Sequence, residues 1–486
     1  MKTICLYFEI HQIVHLKRYR FFDIGTDHYY YDDYENERTI RDIAERSYIP
    51  ALNTIGEMIK ENGKYFRVAF SLSGVGMEQL EQYAPEVLDK LVELNKTGCV
   101  EFLAEPYGHG LSALKDNTMF ALNVKNQCDK MVEYFGKRPT VLRNSSLIYS
   151  DDIGLQASEM GFKGMLTEGA KHVLGWKSSH YVYNCALAPK LKLLLRDINL
   201  SDDISLRFNN KDWEGYPLFA DQYIAKIAQL PEPEKVVNIF MELSALGIAQ
   251  PLSSNILEFI HALPRFAKQQ DITFSTPSEV CDNFNSVGDL NVPDTLSWVD
   301  EERDVSSWLG NDMQREAFNK LYGIADRVRI ANDPMINQDY NYLQASNNFR
   351  FMSTKPSQVG IDRGIYSSPF DAFTNYMNIL GDFINRVNAL YPSDIDNDQL
   401  NSLLTTIKNE GDEIEMKDKE IERLQARLEK SEATVTKLRK KYETKEITKT
   451  QTAKKTTSPS KHKKSEAKEA SAKEESPTTT KEETKA

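Results

Sequence analysis

The sequence predicts an α/β protein built from repeated β/α units around a parallel sheet. Short apolar, β-rich runs recur along its first two thirds, and the stretches between them repeat apolar residues every three or four positions. Polar and charged residues gather just after the runs, where a parallel sheet collects its functional groups. Candidate strands are Thr3 to Phe8, Phe66 to Ser71, Cys99 to Leu103, Thr140 to Leu142, Gly164 to Leu166, Leu191 to Leu195, Val236 to Met241 and Ile272 to Phe274. Helices are expected over Ile49 to Glu61, Glu78 to Asn95 and Ala121 to Phe135. Periodicity alone does not separate a barrel from a doubly wound sheet.

From about Asn283 the strand signals fade. Trp298 to Asp326 and Phe370 to Tyr391 read as helices joined by a polar, loop-like stretch rich in Asn, Ser and Pro. Leu400, Ile407, Ile414, Ile421, Leu428, Val435 and Tyr442 then fall every seven residues, with Leu403, Leu424 and Leu438 at the matching d positions. Glu410, Lys417 and Ser431 interrupt that seam, so it fits a homo-oligomeric coiled coil through 400–442, a solvated helix, or one folded back on the body. After Tyr442 only Ile447 is a branched apolar residue, in a run of Lys, Thr, Ser, Glu and Ala that has too little to bury and is expected to be disordered. The expected domains are therefore a β/α body over 1–282, a helical domain over 283–395 that completes the cleft, a heptad helix over 396–442 and a tail over 443–486.

Composition narrows the function. The chain carries a formal charge of −12 over 486 residues, with 40% hydrophobic and 27% charged residues. Its tail from Thr444 holds 11 Lys and 7 Glu, a balance of +4, which leaves about −16 on the remainder. So acidic a body argues against nucleic acid as partner and suits a neutral polar ligand. No apolar window is long enough to cross a membrane, and the opening run meets Glu9 and then His11, His15 and Lys17 without the cleavage region of a signal peptide. The expectation is a cytoplasmic protein without membrane association. Five scattered cysteines without a CxxC pair read as reduced core fillers, and no zinc or cofactor pattern is visible.

The residues after the strands carry the chemistry. PheGluIleHisGln (8–12) and the following ArgTyrArgPhePheAspIleGlyThrAspHisTyrTyrTyrAspAsp (18–33), GlyCysValGluPheLeuAlaGluProTyrGlyHisGly (98–110), and ArgAsnSerSerLeuIleTyr (143–149) resemble in order the signatures of glycoside hydrolase family 57, α-amylase-like subgroup. So do MetLeuThrGluGlyAlaLysHisValLeuGlyTrpLysSer (165–178), LeuArgAspIleAsnLeuSerAspAspIle (195–204), MetGluLeuSerAlaLeuGly (241–247) and the segment 297–314. The resemblance covers about residues 1–390. It implies a distorted, incomplete (β/α)7 TIM-type barrel, then a helical domain, with the long helix and disordered tail outside it. It also implies an α-1,4-glucan, oligosaccharide or polysaccharide, as ligand.

The family's retaining chemistry needs two carboxyl groups roughly 5–5.5 Å apart. By resemblance the nucleophilic glutamate falls at Ser146, the acid/base aspartate at Glu242, and a second acidic residue of that motif at Ser244. Carried over in the same way, His11, Glu101, His109, Arg143, Asp197 and Asp202 line the sugar cleft, while Trp176 and Trp308 could stack on sugar faces or simply pack. His11 alone could equally be a satisfied histidine at a strand end. A serine hydroxyl neither carries charge at neutral pH nor leaves readily from a glycosyl intermediate, so glycosidase activity is expected to be lost or strongly impaired. Asp151, Asp152, Glu168, Asp197, Asp202 and Asp203 are the carboxylates that could take over, although Asp151 or Asp152 also reads as a helix N-cap. An active hydrolase or 4-α-glucanotransferase, and a non-catalytic scaffold acting through the C-terminal helix, are the alternatives.

Overall fold

The computed structural model describes residues 1–356 and 363–391, with most of 402–428 (all but 404, 408, 412, 415, 418, 419, 422 and 426). Seven parallel strands make its centre: β1 (Lys2–Ile10), β2 (Val68–Leu72), β3 (Val100–Leu103), β4 (Val141–Arg143), β5 (Gly164–Glu168), β6 (Lys192–Arg196) and β7 (Val236–Glu242). The ladders β7–β1–β2–β3 and β4–β5–β6 are continuous. The ring closes through two thin contacts, a lone bridge Ala104↔Leu142 between β3 and β4 and the single pair Arg196↔Asn238 between β6 and β7. At the second, Asn238 donates from its side chain to the Leu195 carbonyl at 3.0 Å and thereby stands in for missing ladder bonds. This is the distorted (β/α)7 barrel that the signatures imply.

All eight runs expected as strands are strands. The eighth, Ile272–Phe274, pairs with the first residues of β1, below the stretch of β1 that pairs with β2. Two further strands of the main sheet had no sequence signal, Val182–Cys185 antiparallel to β6 and Asp289–Leu290 beside it. Inside the barrel Cys5, Tyr7, Ala69, Leu103, Val141, Leu166, Leu194 and Phe240 pack together, and the helix Pro277–Asn283 closes the bottom with Val280 and Cys281. The barrel is thus a filled core, and ligands are confined to its upper rim.

The helix expected over Glu78 to Asn95 is two helices, Gly74–Tyr83 and Pro85–Lys96, because Pro85 has no N–H to continue the first. Ile49–Asn62 buries Ala51, Leu52, Ile55, Met58 and Ile59 on one stripe and stops at Gly63, whose φ of 55° few other residues adopt without strain. The stretch between 326 and 370, expected as loop, holds the helices Pro334–Leu343 and Ser346–Phe351. Their Asn, Ser and Pro residues serve as caps and polar faces. The helices after 283 share one hydrophobic core with Ala104, Leu142, Met165 and Leu193 of the barrel side, and Met1–Leu404 forms one compact unit.

All five cysteines are buried and free. Among the described residues no helix is long and apolar enough to cross a membrane. The described residues between 405 and 428 are helical, and Ile407, Ile414, Ile421, Leu424 and Leu428 are exposed on them. The rest of the heptad seam, with Leu400, Val435 and Tyr442, and the tail over 443–486 lie outside the described residues.

Candidate active site

The strand ends deliver side chains to one pocket of about 190 Å³ at the barrel's rim, lined by Glu9, His11, Gln12 and Ile13 after or at the end of β1, His109, Ser146, and Glu242 and Ser244 at β7. Tyr48 closes one side. Trp298, Val299, Trp308, Ser346, Asn347 and Arg350 enter from the segment after 283. The positions expected to hold the nucleophile and the acid/base therefore face the same space.

Ser146 lies in the turn after β4 with φ 51° and ψ 29°, and Leu147 follows at φ 54°. Two consecutive side-chain-bearing residues in the left-handed region cost on the order of 1–3 kcal/mol each, so the surrounding packing must impose the turn. Trp298 helps impose it by donating its backbone N–H to the Ser146 carbonyl at 3.2 Å. Ser146 lines the pocket, and among the described residues no histidine is hydrogen-bonded to its hydroxyl. Glu242 is exposed and accepts a hydrogen bond from Ser244 Oγ at 3.1 Å.

Beneath the pocket sits a buried charge cluster. Arg143 donates to both oxygens of Glu9, at 2.5 and 2.6 Å, and lies 3.4 Å from Glu105. Its guanidinium also stacks over the Phe240 ring at 4.9 Å. Glu105 is fully buried and accepts from Ser71 as well. Burial raises the pKa of Glu9, and Glu105 and Glu242 add to the rise, while Arg143 and His109 oppose it. His11 stacks on His109 with ring centres 4.2 Å apart and bonds Ser73 Oγ through Nδ1 at 2.7 Å. Burial, then the neighbouring His109 and Arg143, hold its pKa well below 6.5, so it is neutral.

The other expected residues go elsewhere. Glu101 sits near the lower end of β3 and accepts from the Ser278 backbone N–H at 2.9 Å, so it caps the bottom helix and does not reach the pocket. Arg143 acts from below through Glu9. Trp176 is 93% exposed and outside the pocket, whereas Trp308 lines it with 1% exposure. Asp197 caps the helix Ile198–Ser205 by accepting from Leu200 N–H at 2.8 Å, and Asp202 pairs with Arg196 and, at 3.7 Å, with Arg303. Neither lines the pocket. Ser150, rather than an aspartate, caps the helix Asp151–Glu159, while Asp151 accepts from the Val292 N–H at 2.7 Å. Glu168 is buried against Arg196, and Asp203 pairs with Arg207 at 2.7 Å. None of these carboxylates is placed to replace Ser146. Glu9, Tyr48, Trp298, Asn347 and Arg350 had not been singled out; Glu9 was legible only as an acidic residue in a strand otherwise dominated by apolar ones.

Asp197 is held by His180, whose Nε2 lies 2.5 Å from Asp197 while its Nδ1 lies 2.6 Å from Glu234. Burial disfavours the imidazolium, but these two carboxylates outweigh it and raise the His180 pKa above 6.5. A raised folded-state value means that this stability is complete below about 6.5 and is lost as pH rises through the folded pKa. His180→Gln is expected to flatten the slope of stability against pH above that value; urea midpoints measured across the range would check it, and an unchanged slope would count against this role.

The model of the glycosyl hydrolase family 57 matches residues 5–293, more than half of the chain. The chain belongs to this family. A relative from Methanocaldococcus jannaschii named "Putative alpha-amylase" is 37% identical to the family 57 chain over 369 residues, 73% of this chain and 78% of the relative. A GH57 branching enzyme from Thermococcus kodakaraensis, solved in complex with glucose, superposes with a TM-score of 0.59 at 13% identity, covering 83% of this chain and 94% of that one. The 4-alpha-glucanotransferase of Thermococcus litoralis matches with a TM-score of 0.52 at 14% identity over 72% of this chain, which spans only 56% of that protein. At such identities the two structures support the fold alone.

Proposed function

We propose that this family 57 protein binds an α-glucan in the rim pocket but has lost, or nearly lost, the ability to cleave it. The observation that carries the reading is Ser146, an uncharged side chain where retaining chemistry needs a carboxylate, facing a pocket whose exposed acid is Glu242. Glu9 is a poor replacement, since Arg143 donates to both its oxygens and weakens them as nucleophiles. The pocket retains what sugar recognition uses: aromatic faces in Tyr48, Trp298 and Trp308, and amide and hydroxyl groups in Gln12, Asn347, Ser244 and Ser346. The names of the relatives, an amylase, a branching enzyme and a glucanotransferase, point to the same ligand class. On this reading the segment 283–395 completes the cleft.

Calorimetric titration with maltooligosaccharides, alongside a reducing-sugar assay on the same sample, tests both halves. Binding without turnover is expected, and Trp298→Ala should weaken binding by about 1–3 kcal/mol through the loss of one stacking face. Absence of binding at millimolar sugar would remove the glucan reading.

A further inference from the structure

Three buried groups at and beneath the pocket form an arrangement that sugar binding leaves unused. Glu9, Glu105 and His109 each offer one ligand atom, and these atoms all lie within 4.8 Å of one another. His109 Nδ1 lies 3.2 Å from Glu9 Oε1 and 3.6 Å from Glu105 Oε1. A tetrahedral ion with bonds of about 2.0–2.1 Å separates its ligand atoms by about 3.3–3.4 Å, a value these two distances bracket.

The second observation is that two of these atoms make no hydrogen bond. His109 Nδ1 and Glu105 Oε1 are buried without a hydrogen bond, in side chains 6% and 0% exposed. A protonated Nδ1 would be expected to point its hydrogen at one carboxylate oxygen, yet neither oxygen meets hydrogen-bond geometry despite its proximity. Leaving such atoms unsatisfied costs about 1–3 kcal/mol each. A shared cation between them would remove that cost.

We infer that Glu9, Glu105 and His109 form a binding site for a divalent first-row transition metal such as Zn²⁺, with its remaining coordination position turned to the rim pocket. Charge supports it. The two carboxylates against Arg143 leave one negative charge, so a divalent ion leaves one positive charge beside the pocket, which attracts an oxygen donor such as water or a sugar hydroxyl. Engagement of Glu9 by Arg143 does not prevent ligation, because each carboxylate oxygen has a second lone pair and Arg143 then serves as the outer partner that orients the ligand. Ser71, donating to Glu105 Oε2, fixes the other carboxylate and leaves Oε1 open. One imidazole with two carboxylates and an open position is a donor set that zinc accepts. The site is independent of whether the pocket holds a glucan.

The test begins with the full chain stripped by a chelator, reloaded with Zn²⁺, dialysed and analysed for metal. About one equivalent per chain is expected, and Co²⁺ in its place should give the visible d–d absorption of a low-coordinate nitrogen and oxygen site. His109→Gln should lower affinity at least about 100-fold, since losing a ligand exceeds the 10- to 100-fold cost of losing an outer partner. His261→Gln, a surface histidine 3.3 Å from Glu61, should leave affinity unchanged. The inference is overturned if the unaltered protein retains no metal after dialysis, if the cobalt form shows a thiolate charge-transfer band that assigns the ion to a cysteine, or if His109→Gln binds as tightly as the parent. Failure of His109→Gln to fold does not rescue the idea, because retention and the cobalt spectrum are read on the unaltered chain.

Discussion

Replacing Arg143 with methionine is expected to cost about 3–5 kcal/mol of folding stability, read as a fall in the urea midpoint. The guanidinium is fully buried, holds Glu9 by two charge-assisted bonds at 2.5 and 2.6 Å, lies 3.4 Å from Glu105 and covers the face of Phe240. Methionine keeps much of the volume but leaves two carboxylates without their strong cation in a dry site. A surface pair such as Lys90 and Glu93, 3.4 Å apart with side chains 41% and 71% exposed, contributes only about 0–1 kcal/mol by contrast. The loss should shrink in acid. Glu9 has a raised pKa in the folded protein, so folding takes up a proton there, and stability rises as pH falls toward the ordinary glutamate value of 4.5. Without Arg143 that uptake becomes larger. A midpoint shift below about 1 kcal/mol, or one indifferent to pH, would show that the cluster is not held as an ion pair.

The second large effect concerns catalysis. The double replacement Ser146→Glu with Glu242→Asp is expected to release reducing sugar from maltoheptaose faster than the natural chain. Losing a nucleophile costs on the order of 10⁶-fold in a well-studied hydrolase, because the reacting groups act as a unit. Ser146 stands where the signature places the nucleophile, without its charge. A glutamate there supplies a carboxylate that can attack and later leave, and the shorter aspartate at 242 withdraws the acid by about one methylene to restore the spacing. The left-handed backbone at 146 already carries a Cβ with serine, so glutamate adds no new backbone clash there. Turnover by the natural chain that Ser146→Ala leaves unchanged would sink the inactive reading. Absence of turnover in the double variant would mean that the pocket has changed in more than its two acids.

Much of this was legible in the sequence, for physical reasons that also explain what was not. Strands of a parallel barrel are covered on both faces, so they stand out as apolar runs, and all seven were found together with Ile272–Phe274 beside β1. The short strand Val182–Cys185 and the helices Pro334–Leu343 and Ser346–Phe351 escaped because their stability comes from tertiary packing, with Asn and Ser that read as loop. His11, His109, Ser146, Glu242 and Trp308, read from signature order, line one pocket. Glu101 failed because it lies at the lower end of a four-residue strand, whereas Glu105, just past the upper end, reaches the charge cluster. Trp176 follows β5 at the rim, but proximity in sequence does not fix which way a loop side chain turns. Glu9 was missed because a lone acid in an apolar strand has no signal until its partner Arg143, more than a hundred residues on, folds against it.

The two thin seams of the barrel bear on the cleft itself. They divide the ring into a wide arc of β7, β1, β2 and β3 and a narrow arc of β4, β5 and β6. Glu242 and Glu9 ride on the wide arc, paired in register on adjacent strands, while Ser146 follows β4 on the narrow one. The gap across which a sugar would lie is therefore not spanned by a continuous hydrogen-bonded ladder. The bidentate contact of Arg143 with Glu9 bridges the arcs under the pocket and works as a cross-brace. Where the ladder is thin, side chains rather than backbone bonds tie the two arcs together beneath the pocket.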